Sequence, residues 1–215
     1  MTVDQKELAG AIIAGGQSSR MHEGGIAGDK FLQPLGSTTV IFHVAERLKP
    51  QVSRLFINAN GDPRRLAALD IPVVADNPHR HGGPLPGILT ALREAEDFPW
   101  LVTAAADTPF LPRDLVARFI EHQQKTGADI VLASSAERVH PLFGLWRTSL
   151  IPRLEDWLST CEKAGVFAFA SFIGFETVDF PVQATQNGSD RYDPFFNINR
   201  PEDLLAAQRL IGIIK

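Results

Sequence analysis

Leu8-Ala9-Gly10-Ala11-Ile12-Ile13-Ala14-Gly15-Gly16-Gln17-Ser18-Ser19-Arg20-Met21, followed by His22 to Gly28 and then Asp29-Lys30, is the stretch from which the fold is read. An apolar run of strand length breaks at Gly15-Gly16, and the polar segment beyond carries the cations Arg20 and Lys30. Residues without a Cβ take positive φ and let the backbone approach a ligand closely. The N–H groups of a helix beginning near Ser18 or Ser19 point outward as unsatisfied donors. Arg20 adds a fork of donors and Lys30 a mobile point charge. The stretch is therefore expected to be a strand, phosphate-binding loop and helix start suited to a triphosphate. The glycines alone fit better an ordinary turn at Gly15-Gly16 with Arg20 and Lys30 as solvated surface cations, and the spacing is neither G-x-G-x-x-G nor Walker A.

Outward from this stretch, apolar runs alternate with helical patterns. Val52 to Asn58, Ile71 to Ala75, Trp100 to Ala106, Asp129 to Ala133 and Pro141 to Trp146 read as strands, and Thr177 to Phe180 as a short edge strand. Thr38 to Leu48, Ile88 to Ala95, Pro112 to Lys125, Leu150 to Cys161, Ala164 to Ile173 and Pro201 to Ile211 read as helices. Ala184 to Tyr192 reads as a polar, mobile segment. The alternation predicts an α/β fold, a Rossmann-like, mostly parallel sheet flanked by helices. With 215 residues and 44% hydrophobic content, one domain over residues 1–215 with its core at about 8–212 is expected.

Composition narrows the function classes. A net charge of −4 gives no basic field for nucleic acid or anionic membranes, so any polyanion contact is local. Cys161 is the sole cysteine, which excludes an intrachain disulfide and argues against a thiolate zinc site. No signal peptide and no apolar run of membrane-spanning length is present, so a cytoplasmic protein is expected.

In such a sheet, ligands bind outside the carboxyl ends of the strands. Asp107 follows the Trp100 to Ala106 run and is placed to hold Mg²⁺ against phosphate oxygens, although an isolated Asp-x-Pro more often caps a turn. Asn58 and Asp76 end their own apolar runs near the same edge; a carboxylate there can accept from guanine N1–H and its 2-amino group, or can simply end a strand. Asn197 and Asn199, two apart in an extended segment, emerge on one face. Asn199 also stands close enough to Pro201 to cap the last helix. His79 and His81, in a Gly/Pro loop without acidic or thiol partners, read as exposed or structural. Ser134-Ser135 with His140 lacks a nucleophile-elbow context, so a hydrolase triad is discounted.

Together these residues resemble the molybdenum cofactor guanylyltransferases, the MobA family. The resemblance runs through Ile13-Ala14-Gly15-Gly16, Arg20-Met21, Asp29-Lys30, Asn58-Ala59-Asn60, Asp76, Gly83-Pro84-Leu85 with Gly87, Asp107-Thr108-Pro109, His140-Pro141, and Phe196-Asn197-Ile198-Asn199 with Pro201-Glu202-Asp203-Leu204. It implies a single nucleotidyltransferase domain that transfers GMP from GTP to molybdopterin-bound molybdenum cofactor and releases pyrophosphate. It implies further that Ile13, Ala14, Gly15, Gly16, Lys30, Asn58, Asp76 and Asp107 contact GTP, that Asp107 also holds Mg²⁺, and that Arg20, Lys30 and Asp107 are catalytic. Asn197 and Asn199 would lie on the pterin side. The implied partners are the substrates, with the proteins that supply the cofactor and mature molybdoenzymes, and neither nucleic acid nor membrane. The family usually passes from Met-Gly to Asp-Lys almost at once, whereas here His22 to Gly28 intervenes and reads as a glycine-rich flap over the triphosphate. Alternatives on the same fold are a cytidylyltransferase or a sugar-1-phosphate nucleotidyltransferase, and outside catalysis a nucleotide-binding cofactor chaperone.

Overall fold

Every residue of β1 (Leu8–Ile13) is buried, because the strand is enclosed on both edges by parallel neighbours and on both faces by helices. A computed structural model of the chain describes residues 7–15, 28–77, 82–162, 164–186, 188 and 190–214. Gly16, Arg20, Met21, His79, His81 and all of the expected His22 to Gly28 flap except Gly28 lie outside them.

β1 pairs with β4 (Arg54–Asn58) on one side and β6 (Trp100–Ala105) on the other, and β4 pairs with β5 (Val73–Val74), all in parallel. Ile13 lies level with Asn58 and Ala105, and Asn58 with Val74. The four carboxyl ends therefore reach one edge of the sheet, the geometry the alternating sequence pattern implied. Between them run the hairpin β2 (Pro34–Leu35) and β3 (Thr38–Thr39), helix α1 (Val40–Leu48) and helix α2 (Leu85–Glu94).

Beyond β6 the pattern changes. Helix α3 (Leu115–Thr126) ends at Gly127, whose φ of +70° closes the helix in the left-handed region, and leads into β7 (Ile130–Ser135). β8 (Arg138–Arg147) then inserts between β6 and β7, antiparallel to both, so that the sheet runs β5-β4-β1-β6-β8-β7-β9 with β9 (Glu176–Asp179) parallel to β7 at the far edge. The first half of β8 departs from regular pairing. Leu132 faces Gly144 while the next residue, Ala133, faces His140, so Pro141, Leu142 and Phe143 bulge from the ladder. Proline has no N–H to give a central ladder, and bulges re-aim side chains at sheet edges. The strand expected at Pro141 to Trp146 is thus longer than its apolar run and interrupted inside it. Being antiparallel, β8 begins at the edge where the parallel strands end.

Alternation sorts β1 between two cores. Leu8 and Ile12 join Val44 and Leu48 of α1 and Phe119 of α3 on one face. Ala9, Ala11 and Ile13 join α2, α4 (Ile151–Thr160) and α5 (Val166–Ile173) on the other, around the fully buried Trp146. Trp146 Nε1 donates to Thr103 Oγ1 at 2.9 Å, so the buried indole keeps its hydrogen bond.

A third, smaller cluster of Leu35, Val40, Phe110, Tyr192, Ile198, Leu204 and Ala207 holds helix α6 (Pro201–Ile211) against the loop after β6. The segment expected to be mobile contributes to it. Gln183–Ala184 (β10) and Arg191–Tyr192 (β11) form an antiparallel pair, and Tyr192 Oη donates to Gln183 Oε1 at 2.6 Å. Tyr192 is buried edge-on against Phe110, which supplies the apolar contact that its polar neighbours in the sequence conceal. Among the described residues, no helix is long and apolar enough to cross a membrane.

Phe119 is fully buried and meets Phe180 in a T-shaped contact with centroids 6.0 Å apart. Phe119→Ala is expected to cost about 3–5 kcal/mol, read as a lower midpoint in urea denaturation with little change in slope.

Candidate active site

Two groups of polar side chains and one cleft share the carboxyl edge of the sheet. The first group grows from the ends of β4 and β5. Asn58 closes β4 with its side chain buried, and its Nδ2 donates to Asp76 Oδ1 at 2.7 Å. Asn60 Nδ2 donates to Asp76 Oδ2 at 2.9 Å, and Asn60 Oδ1 accepts from the Asp76 N–H at 2.8 Å. Two asparagines thus fix both oxygens of one carboxylate, leaving their remaining lone pairs to a ligand. Helix α2 approaches closely at Gly87, where a Cβ would stand 2.5 Å from Asn58 Oδ1. That oxygen is buried and has no hydrogen-bond partner among the described residues. A buried acceptor without a donor costs free energy unless a bound molecule supplies one. Ile13 and Ala14 are buried beside Asn58, whose carbonyl accepts from the Ala14 N–H at 2.8 Å; exposed Gly15 has open space where a side chain would stand.

The second group centres on Asp107, which follows β6 and is nearly enclosed. Lys30, at the start of a single 3₁₀ turn (Lys30–Leu32), forms an ion pair with Asp107 Oδ2 and donates to Asn199 Oδ1 at 2.8 Å. Thr108 Oγ1 donates to Asp107 Oδ1 at 3.3 Å. The Ile198 N–H donates to the Asp107 carbonyl at 3.0 Å, which lays the segment carrying Asn197 and Asn199 across this loop. Asn199 does not cap the last helix. Its N–H and that of Arg200 both donate to Asp203 Oδ2, at 2.9 and 2.8 Å, so Asp203 reaches back to satisfy the helix entrance and the Asn199 amide turns to Lys30.

Beside Asp107 opens a cleft of about 460 Å³. One wall is the bulged start of β8, with His140, Leu142 and Phe143; the other is Phe196, Asn197, Asn199 and Arg200. His140 stacks on Phe195 with centroids 4.7 Å apart, and its Nε2 lies 2.7 Å from Ser135 Oγ. Ser135 Oγ donates in turn to Asp193 Oδ1 at 2.8 Å. Although Ser, His and Asp are joined here, the hydroxyl is fully buried and its proton points to the carboxylate, so it is not a nucleophile activated by histidine. Burial pushes the His140 pKa below its ordinary value; Asp193 opposes the shift and Arg138 adds to it.

The structure therefore brings Asn58 to Asp76, and Lys30 to Asp107 and Asn199; Asn197 is exposed on the cleft wall. Gly16 and Arg20 fall outside the described residues. Sequence reading gave no role to Asn60, Gly87 or Asp193, and missed Arg65 altogether. Arg65 pairs with Asp29, donates to the Asn60 carbonyl and lies over the Phe31 ring, fastening the Lys30 turn to the loop that holds Asp76. It sits on a short 3₁₀ helix (Pro63–Leu69) that carries no motif; Asn60 and Gly87 had a signal in the family resemblance, but only geometry shows what they touch.

Comparison with known proteins places the chain. Residues 10–171 match the family model described as a MobA-like NTP transferase domain. Curated relatives from Brucella ovis and Brucella suis, each named molybdenum cofactor guanylyltransferase, are 57% identical over 204 residues, covering 95% of this chain and 92% of theirs. Among solved structures, molybdopterin-guanine dinucleotide biosynthesis protein A from Archaeoglobus fulgidus superposes with a TM-score of 0.71 at 23% identity, covering 95% of this chain and 98% of that one. A 4-diphosphocytidyl-2C-methyl-D-erythritol synthase from Anaerococcus prevotii superposes with a TM-score of 0.72 at 11% identity, covering 98% of each. These structural likenesses show a shared fold.

Because the folded state holds His140 neutral more strongly than the unfolded chain does, this residue's contribution to stability is complete above the unfolded pKa of about 6.5 and declines as pH falls through the lower folded value. Between pH 7 and pH 5 the wild-type chain is expected to lose more unfolding free energy than His140→Gln does, as measured by urea denaturation across that range.

Proposed function

The chain belongs to the MobA-like NTP transferase family, and on that premise we propose that it transfers GMP from GTP to molybdopterin-bound molybdenum cofactor, forming the guanine dinucleotide cofactor and releasing pyrophosphate. The observation that carries this proposal is the position of Lys30. Its ammonium joins Asp107, at the end of the strand beside β1, to Asn199, on the wall of the cleft. A charge that handles phosphates thus stands where a nucleotide on one side and an acceptor on the other would meet.

On the nucleotide side, Asp76 is oriented by Asn58 and Asn60 to accept from guanine N1–H and the 2-amino group. Cytosine and adenine lack that paired donor edge. Ile13, Ala14 and Gly15 supply backbone at the sheet edge for the triphosphate, with Lys30 as countercharge; Gly16 and Arg20 enter from sequence alone. On the acceptor side, Asn197 and Asn199 face the cleft and would meet the pterin.

Transfer needs no protein nucleophile. An acceptor phosphate oxygen, already ionised near neutral pH, attacks the α-phosphorus of GTP; the new P–O bond forms as the bond to the bridging oxygen breaks, and pyrophosphate leaves with that electron pair. The protein's part is alignment and neutralisation of charge on the leaving group. Asp107 fits Mg²⁺, a hard cation that keeps several waters and takes only one or two protein carboxylates beside substrate phosphates. Among the described residues no cluster of three or more acidic, histidine or cysteine side chains offers an all-protein cage, which suits such a substrate-shared ion. When bound there, Mg²⁺ would supply charge neutralisation on the triphosphate. Lys30, seated beside Asp107, would add its charge to the phosphates. A cytoplasmic enzyme that receives the cofactor from a supplying protein and hands it on for molybdoenzyme maturation fits this activity.

Pyrophosphate release with molybdopterin-bound molybdenum, Mg²⁺ and each nucleoside triphosphate tests the assignment: GTP is expected to be used, and preference for CTP would overturn the role given to Asp76. Asp107→Asn should lower kcat by about 10²–10³-fold, and Lys30→Ala should raise the KM for GTP. Gly87→Ala is expected to push Asn58 from its place and raise the KM for GTP about tenfold, the worth of roughly one hydrogen bond, with kcat nearly unchanged.

A further inference from the structure

The Asp193–Ser135–His140 chain has no part in the transfer just described, yet every proton in it is directed, at the wall of the acceptor cleft. A serine hydroxyl carries one proton. Ser135 donates it to Asp193 Oδ1, an oxygen that also accepts from the Phe195 N–H at 2.8 Å. Ser135 Oγ can then only accept from His140 Nε2. This fixes the proton of a neutral imidazole on Nε2 and leaves a lone pair on Nδ1.

Nδ1 has no hydrogen-bond partner among the described residues, and His140 is half-buried with its side chain on the lining of the cleft. Phe195, stacked on the ring, and Phe143, edge-on to it at 6.4 Å, restrict rotation of the imidazole. His140 is paired with Ala133 just before the bulge at Pro141 to Phe143, and its side chain lines the cleft.

We propose that His140 is a specificity-determining residue of the acceptor site, whose Nδ1 accepts a hydrogen bond from an N–H group of the acceptor's heterocycle. The proposal rests on the function assigned above and names one of its recognition atoms. The aromatic Phe196 and apolar Leu142 on the same cleft suit a flat heterocycle, and Asn197 and Asn199 supply further amide contacts. Burial of His140 supports the neutral form that the hydrogen-bond directions require.

Two substitutions separate the ring's nitrogens. His140→Gln can keep a donor near Nε2 for Ser135 but has no acceptor at the Nδ1 position, whereas His140→Asn keeps an oxygen near Nδ1 and cannot reach Ser135. Steady-state kinetics with GTP and molybdopterin-bound molybdenum, alongside thermal unfolding of each variant, should show the acceptor KM of His140→Gln raised about tenfold, its GTP KM within about twofold of wild type, and His140→Asn nearer to wild type in acceptor KM. An unchanged acceptor KM in His140→Gln, or equal rises in both KM values in both variants, overturns the proposal in favour of a role in folding. If His140→Gln does not fold, Ser135→Ala takes its place: a raised acceptor KM with GTP KM held supports the proposal, and no change overturns it. Failure of the wild-type chain to transfer GMP to this acceptor would overturn the proposed function itself and this inference with it, whereas normal wild-type transfer with indifferent variants overturns the role of His140 alone.

Discussion

A carboxylate at the end of a strand that is buried on both faces cannot be left without a countercharge, and in this chain Asp107 receives one from Lys30. Isolated buried charge is strongly unfavourable, and removal of one partner of such a pair leaves the other uncompensated. The pair therefore joins three distant pieces of chain: the turn at Lys30, the end of β6, and, through Asn199, the segment that enters the last helix. Around it the other contacts become intelligible. Arg65 holds the Lys30 turn from behind, the Ile198 N–H ties the final segment to the Asp107 backbone, and Asp203 frees the Asn199 amide from capping.

The sheet supplies the frame on which this pair is set. Four parallel strands end level at one edge, which brings residues 58, 76 and 107 together although they are far apart in sequence. β8 then enters in the opposite sense and puts its beginning, rather than its end, at the same edge. In the proposed assignment, parallel strands contribute the nucleotide side and an antiparallel strand contributes a wall of the acceptor cleft. A bulge at a proline exposes that wall, a local irregularity of the kind that re-aims side chains next to functional sites.

Polar groups at this edge are held in place by the protein. Asp76 is oriented by two asparagines, Asn58 packs against Gly87, and His140 is held in one tautomer with its other nitrogen unpaired among the described residues. Each group loses freedom before any substrate arrives, which lowers the entropic cost of binding. Away from the edge, Trp146 Nε1 on Thr103 and Gln51 Nε2 on the Arg47 and Pro112 carbonyls are satisfied by the protein itself.

Local chemistry alone fixed a good part of this. The apolar run of Leu8 to Ile13 is long enough for a strand and too continuous to have a wet face, so parallel pairing and burial on both sides were legible, and with them the common edge shared by Asn58, Asp76 and Asp107. The motifs carried the family as well. What single-chain reading left undecided was whatever depends on partners distant in sequence. Asn199 looked equally like a helix cap until Asp203 took that role, Tyr192 looked like part of a polar loop until Phe110 packed against it, and Arg65 gave no signal at all. Periodicity and spacing report how a residue relates to its neighbours along the chain; which carboxylate meets which cation, and which nitrogen of a histidine is left open, are set only when the sheet brings those segments into contact.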